Sequence, residues 1–270
     1  IKIPVKEILE HPTIREMEKL FSEEGEERSE TISRIKRTEK INLSPQQRQM
    51  WFAEQMGDSN GSYNIVMPIR LRGNLNVERL AESFKHVIRN NENLRTSFKN
   101  ENGIPYQTIR SDFEFSLRQY YLMNFEGKDT DKPINSIISA VSKQSFDLEK
   151  DLLIRGYLVY KGKDEYVLIV VMHHIISDGW SMELKTREIA GDYNNEGKGN
   201  IAEEKLSYID YIYWLDERKE ATEKQKEFWK KTLSPDMEVV SLPTDYIRPD
   251  VQTHNGYTVT SELDKDLTSK

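Results

Sequence analysis

Cysteine is absent from all 270 residues. That excludes disulfides, cysteine–zinc sites and a thiol nucleophile. Long hydrophobic runs are missing as well: no stretch approaches the ~20 apolar residues of a membrane span, and the first residues lack the pattern of a secretion signal. No basic stripe occurs, and 39 Lys and Arg against 46 Asp and Glu leave a net charge of −7, which argues against a nucleic-acid partner. Neither an internal repeat nor a low-complexity tract interrupts the chain, and no serine sits on a strand-to-helix nucleophile elbow. What remains is the polar end of ordinary globular composition, with 36% hydrophobic and 31% charged residues and a mean hydropathy of −0.74. The length allows a substantial core and two compact units. A cysteine-free acidic chain fits a cytoplasmic setting.

Helical and extended signals alternate along the sequence. Residues 1–21 read as a helical piece interrupted by Pro12, with Thr13 as N-cap and Glu16 completing a capping box. Residues 22–40 are densely charged without apolar periodicity and read as a linker or solvated segment. Ser44-Pro45-Gln46-Gln47 opens a helix that Gly57 can end. Tyr63 to Leu71 alternates as a strand, and Pro68 places it at an edge or a bulge. Asn76 caps a helix whose Val77, Leu80, Ala81, Phe84, Val87 and Ile88 form one apolar stripe. Two short strands follow within 104–121, then a helix from Asp131 with Ile134, Ile137, Ile138 and Val141 inward. Leu153–Tyr160 and Tyr166–Met172, joined by Lys161-Gly162-Lys163-Asp164, predict a hairpin. Met182 to Tyr193 reads as a helix. Tyr208, Tyr211 and Trp214 lie on a charged helix running towards Phe228 and Trp229, and these aromatics read as core. The fold class is α/β, an α+β sandwich.

The hairpin's second arm is a β-branched apolar run suited to a strand buried on both faces. It delivers His173 and His174 to the junction of a strand, a loop and a helix. Adjacent side chains on extended backbone point to opposite sides, so one histidine faces packing and the other a cleft. Three explanations compete. Core histidines satisfied by backbone bonds are the commonest fate. Metal ligation needs convergent imidazoles, which the alternation opposes, and no third ligand stands at a familiar spacing. Acyl transfer would place one imidazole beside a carbonyl and its attacking nucleophile. Asp178 either caps the following helix or pairs with an arginine, and Gly179 leaves room beside it.

His173-His174-x-x-x-Asp178-Gly179 resembles the core motif of the condensation domains of non-ribosomal peptide synthetases, and more widely the chloramphenicol-acetyltransferase-like acyltransferases. Three further segments resemble the family's in order: the opening helix from Ser44 through Arg48 and Trp51, Leu94-Arg95-Thr96-x-Phe98, and Tyr208-x-Asp210-Tyr211-x-x-Trp214. The family's Arg and His before the second of these are Asn90 and Asn91 here. Glu7 to Ile14 resembles the closing helix of a peptidyl carrier domain. The resemblance divides the chain into a carrier tail (1–21), a linker (22–40), the N-terminal lobe (41–215), and a connecting helix with the start of a truncated C-terminal lobe (216–270).

The resemblance also implies a chemistry. A donor thioester on one carrier is attacked by the amine of an acceptor amino acid on another. His174 acts as base or stabilises the intermediate, His173 packs, and Asp178 pairs with Arg95 to hold the loop. Gly179 gives room and a backbone N–H near the thioester arm. No cofactor is expected on the domain itself, since substrates ride on the 4′-phosphopantetheine of donor and acceptor carriers, and an adenylation domain is a neighbour. An L-configured donor follows from the preceding carrier tail. With one lobe and the beginning of another, this chain alone is expected to form little peptide. An epimerization domain, or a non-catalytic carrier-docking platform, are the alternatives. The abundance of Lys, Asn, Ile and Glu resembles a bacterial composition.

Overall fold

A computed structural model describes residues 12–16, 31–56, 61–122, 131–195 and 206–233, with scattered positions between 240 and 268. Most of the expected carrier tail lies outside these residues, as do Arg248, Pro249 and Gly256, which with Asp245 resemble the family's segment leading into the second lobe. Thr13 and Glu16 do form the expected reciprocal cap, each accepting the other's backbone N–H, at 3.3 and 3.2 Å.

The first long helix, α1 (Pro45–Met56), starts where its sequence predicts. Gln47 N–H donates to Ser44 Oγ at 3.1 Å and Ser44 N–H to Gln47 Oε1 at 3.0 Å, so two orphan donors of the helix end are satisfied. Strand β1 (Asn64–Arg72) follows, then α2 (Val77–Asn90), capped by Asn76 and burying Leu80, Phe84, Val87 and Ile88. A short 3₁₀ turn, Glu92–Arg95, leads into β2 (Thr96–Glu101) and β3 (Ile104–Ile109), which pair as a separate antiparallel ribbon. Next come β4 (Leu117–Tyr121), α3 (Asp131–Ser142), β5 (Ile154–Gly162), β6 (Glu165–His173) and α4 (Gly179–Asn194).

The main sheet runs β1-β6-β5-β4. Its β1/β6 and β6/β5 pairs are antiparallel and β5/β4 is parallel. Pro68 sits on β1 at the sheet edge, where a missing N–H costs no ladder bond. Strand β6 is central, and Val167 through His173 are all buried. On one side Leu168 and Val170 border an apolar recess with Leu80 and Phe84 of α2 and Ile189 of α4. On the other side His173 meets Phe146 and Tyr63. The predicted strand buried on both faces is therefore present, because helices cover the sheet on either side.

Three expectations change. The charged helix is two helices, α5 (Tyr208–Glu217) and α6 (Lys219–Thr232), broken at Arg218. Phe228 and Trp229, expected in the core, are 60% and 55% exposed. Helical spacing reports a face, and among the described residues nothing covers this one. Residues 31–40 also depart from a solvated linker, since Arg37 among them is locked onto α5.

Candidate active site

Strand β6 ends in a turn that separates the two histidines by environment. The His173 N–H donates to Leu153 O at 3.0 Å and the His174 N–H to Tyr63 O at 2.8 Å, continuing the sheet for one residue on each side. The chain then turns, with Ile176 N–H on His173 O at 3.1 Å. His173 is 1% exposed. Its Nδ1 accepts the Ile175 N–H at 3.1 Å, and its Nε2 lies 3.0 Å from Glu54 Oε1. His174 is exposed. Its Nδ1 lies 2.8 Å from the Ser177 carbonyl oxygen. A carbonyl only accepts, so Nδ1 carries the hydrogen and the neutral ring presents a bare Nε2 lone pair. An exposed imidazole oriented through its own Nδ1–H is equipped to take a proton from an incoming amine.

Asp178 is the N-cap of α4 and accepts the Ser181 N–H at 2.7 Å. Hydrogen bonds from the Ser181 hydroxyl and N–H hold its carboxyl below the ordinary value, against a smaller opposing effect of burial. The pairing expected between Asp178 and Arg95 is absent. Arg95 instead donates Nε–H to Ile88 O at 3.2 Å and Nη1–H to Arg110 O. Its guanidinium closes the end of α2 onto the β2–β3 ribbon, and burial lowers its pKa from the ordinary value. Between the two readings of Asp178, the helix cap holds. Gly179 opens α4, and a Cβ built there would meet no atom within 4 Å. The fold of these residues therefore does not itself require glycine, and the space beside the histidine turn is open. Trp180, next in line, is 74% exposed.

Asn91, where the family pattern has histidine, ties α2 to α4: it donates to Val87 O at 2.7 Å and Glu188 at 3.1 Å, and accepts from Lys185. Glu54 and Arg37 escaped the sequence reading, and Gln47 is expected there only as a helix cap. Glu54 touches His173 from α1. Gln47, also on α1, donates to Ile175 O at 3.4 Å. Arg37 forms a clamp, pairing with the fully buried Asp210 and with Glu92 at 2.8 Å, and bonding Ser207 Oγ at 2.9 Å. Burial alone would raise the Asp210 carboxyl, but Arg37 and the N–H groups of Ser207 and Ile35 outweigh it and hold the group far below the carboxylate range. The Asp in Tyr-x-Asp-Tyr was the available signal, since a buried carboxylate needs a cation. Nothing local in Arg37 marked it as that cation.

Among the described residues, no three His, Asp or Glu side chains are grouped to hold a metal, and no helix is long and apolar enough to cross a membrane. Gly57 to Gly61 does spell Gly-x-Ser-x-Gly, but it follows α1 and precedes β1, the reverse of a nucleophile elbow.

A helix-covered mixed sheet with an exposed imidazole on the turn after its central strand defines a lobe of the acetyltransferase-like class. The condensation-domain family model matches residues 37–270. The chain belongs to that family. Tyrocidine synthase 3 of Brevibacillus parabrevis is 32% identical over 261 residues, covering 96% of this chain and 4% of that protein. Gramicidin S synthase 2 of Aneurinibacillus migulanus is 32% identical over 269 residues, covering 99% of this chain and 6% of that protein. Among solved structures, the X-domain from teicoplanin biosynthesis superposes with a TM-score of 0.69 at 25% identity, over 81% of this chain and 49% of that one. The starter condensation domain of rhizomide synthetase gives 0.66 at 19%, over 74% and 49%. The chain thus spans about half of these solved chains and less than a tenth of these synthetases.

Proposed function

We propose that this chain is the histidine-bearing part of a condensation domain that forms peptide bonds in a non-ribosomal peptide synthetase. The acceptor amine attacks the carbonyl carbon of the donor thioester. A C–N bond forms, the C–S bond breaks, and the donor's phosphopantetheine sulfur leaves as thiolate. The proton lost by the amine passes to His174 Nε2 and returns to the leaving sulfur. The observation that carries this reading is the His174 ring itself, exposed at the end of the central strand with Nδ1–H fixed on Ser177 O and Nε2 free. Holding both carrier-bound substrates against that nitrogen supplies much of the rate through proximity. Residues 1–21 are the tail of a donor carrier, 41–215 the first lobe and 216–270 the passage into the second, with an L-configured donor. The partners are donor and acceptor carriers and an adenylation domain, the phosphopantetheine is theirs, and the setting is cytoplasmic. The 270 residues alone form little peptide.

A second reading has one specific support: a similar structure is the complex of the X-domain with OxyB, at a TM-score of 0.69 and 24% identity. On that reading this chain is a docking surface. The test is peptide formation by the native full-length protein and its His174→Ala variant, each given loaded donor and acceptor carriers. Loss of product by 10²- to 10⁴-fold, in the range of a general base, with carrier binding intact, is the expected result. Normal condensation by the variant removes His174 from the chemistry. No product from either protein favours docking or epimerization.

A further inference from the structure

His173 is fixed at both ring nitrogens. The Ile175 N–H is only a donor, so the Nδ1 that accepts it at 3.1 Å is bare. In the neutral ring the hydrogen must then sit on Nε2, which faces Glu54 Oε1 at 3.0 Å. The two side chains are 2% and 11% exposed, so solvent does not readily replace that acceptor. The bond to Ile175 brackets His174, because its two ends lie on the residues immediately before and after it.

The opposite tautomer would set an Nδ1–H against the Ile175 N–H, and the turn would have to open. Gln47 stands seven residues before Glu54 on α1, on the same face of the helix, and its Nε2 reaches the Ile175 carbonyl at 3.4 Å. Helix α1 therefore grips the turn twice, once at the Ile175 carbonyl and once, through His173, at the Ile175 N–H.

We propose that Glu54 is a positioning residue of the condensation site: by accepting the His173 Nε2–H it selects the tautomer whose Nδ1 closes the turn around His174. The proposal rests on the reading of His174 as the group that acts on the substrates. A misplacement of about 1 Å at a reacting group costs on the order of 10²-fold in rate, so a loosened turn is read in kcat. The tautomer selection needs an acceptor and not a negative charge. Glutamine, whose carbonyl oxygen accepts, is therefore the rescuing variant, and leucine the disabling one.

The experiment compares Glu54→Leu and Glu54→Gln in the full-length protein, using loaded carriers and 15N spectra of the His173 ring in the 270-residue chain. The expected result is a kcat lowered about 10- to 100-fold in Glu54→Leu, with KM for both carriers within about twofold. Glu54→Gln should recover to within about threefold. The spectra should show His173 protonated at Nε2 in the wild type and Glu54→Gln, and shifted towards Nδ1 in Glu54→Leu. Wild-type kcat in Glu54→Leu, or equal loss in both variants, overturns the proposal. If Glu54→Leu does not fold, the wild-type spectrum and Glu54→Gln decide: a wild-type ring protonated at Nδ1, or a Glu54→Gln as slow as His174→Ala, overturns it. Normal condensation by His174→Ala would instead be a failure of the functional reading, and the His173 spectra would still report on the link to Glu54.

Discussion

Asp178 and Arg95 show how one carboxylate can satisfy two different pictures until a partner is seen. In the structure the Asp178 carboxylate bonds the Ser181 N–H at 2.7 Å as a helix cap, while Arg95 bonds two backbone carbonyls. Asparagine caps as well as aspartate. Asp178→Asn should therefore change stability by no more than a few tenths of a kcal/mol, and Asp178→Ala should cost about 1 kcal/mol. An ion pair buried with Arg95 would make Asp178→Asn cost about 3–5 kcal/mol, since one charge would be left unpaired. Urea unfolding of the two variants separates these cases. At this scale the legible part was what strand periodicity dictates. His173 ends β6 and His174 opens the turn after it, and one is buried and the other exposed, as the sequence predicts. The illegible part was pairing at distance. Glu54 is 119 residues from His173, and no local pattern on the mostly polar helix α1 distinguishes it from any other polar residue.

Elements with strong local rules read well from sequence, and those that depend on their neighbours did not. The Ser44–Gln47 box, the Asn76 cap and the α2 stripe are properties of a few adjacent residues, and each is found where it was expected. The hairpin was legible too, although β5 continues through Gly162 and the turn tightens to Lys163 and Asp164, with Asp164 at φ 57°. By contrast, the break at Arg218 and the exposure of Phe228 and Trp229 depend on what packs nearby. Strand β2 has no in-and-out alternation to announce it, because Thr96, Ser97 and Phe98 are all buried. Parallel pairing of β5 with β4 was equally unreadable, yet it sets a tight constraint at Gly156. A Cβ there would lie 2.8 Å from Leu117 Cδ1 and 3.0 Å from Phe115 Cζ. Gly156→Ala should cost about 1–3 kcal/mol by overpacking, despite the gain in strand propensity. Leu117→Ala is itself destabilising, since that side chain is in the core, but in its background the added cost of Gly156→Ala should be smaller than in the wild type if the contact is the cause. Thermal unfolding of the single and double variants measures it, and an unchanged melting temperature in Gly156→Ala would show that the layer yields freely.

Across the whole molecule, the chain's path is tied together by Arg37, which draws a segment before the first long helix onto Glu92 in the turn after α2 and onto Asp210 at the start of α5. These residues are 55 and 173 positions away from it. Asp210 is fully buried and Arg37 is 20% exposed on its side chain. Removing the guanidinium leaves a buried carboxylate with backbone N–H donors alone, so Arg37→Ala should cost about 3–5 kcal/mol near neutral pH. Arg37→Lys should not recover it, because an ammonium cannot meet Asp210, Glu92 and Ser207 in one plane. The folded pKa values of Asp210 and Glu92 are both held below their unfolded ones: in each, burial pulls upward and the Arg37 hydrogen bonds prevail. A depressed carboxyl contributes stability in full above its unfolded value, about 4 for these groups, and loses it as pH falls below that value towards the folded one. Arg37 is shifted upward and stays charged throughout this window. Wild-type stability should therefore decline below about pH 5. Arg37→Ala lacks most of the depression and should decline less, so the gap between the two proteins narrows on acidification. Urea unfolding at neutral pH and at about pH 3.5 gives both numbers. A gap of equal size at the two pH values would mean that Arg37 holds the segment by packing and neutral hydrogen bonds, with the charge on Asp210 contributing nothing.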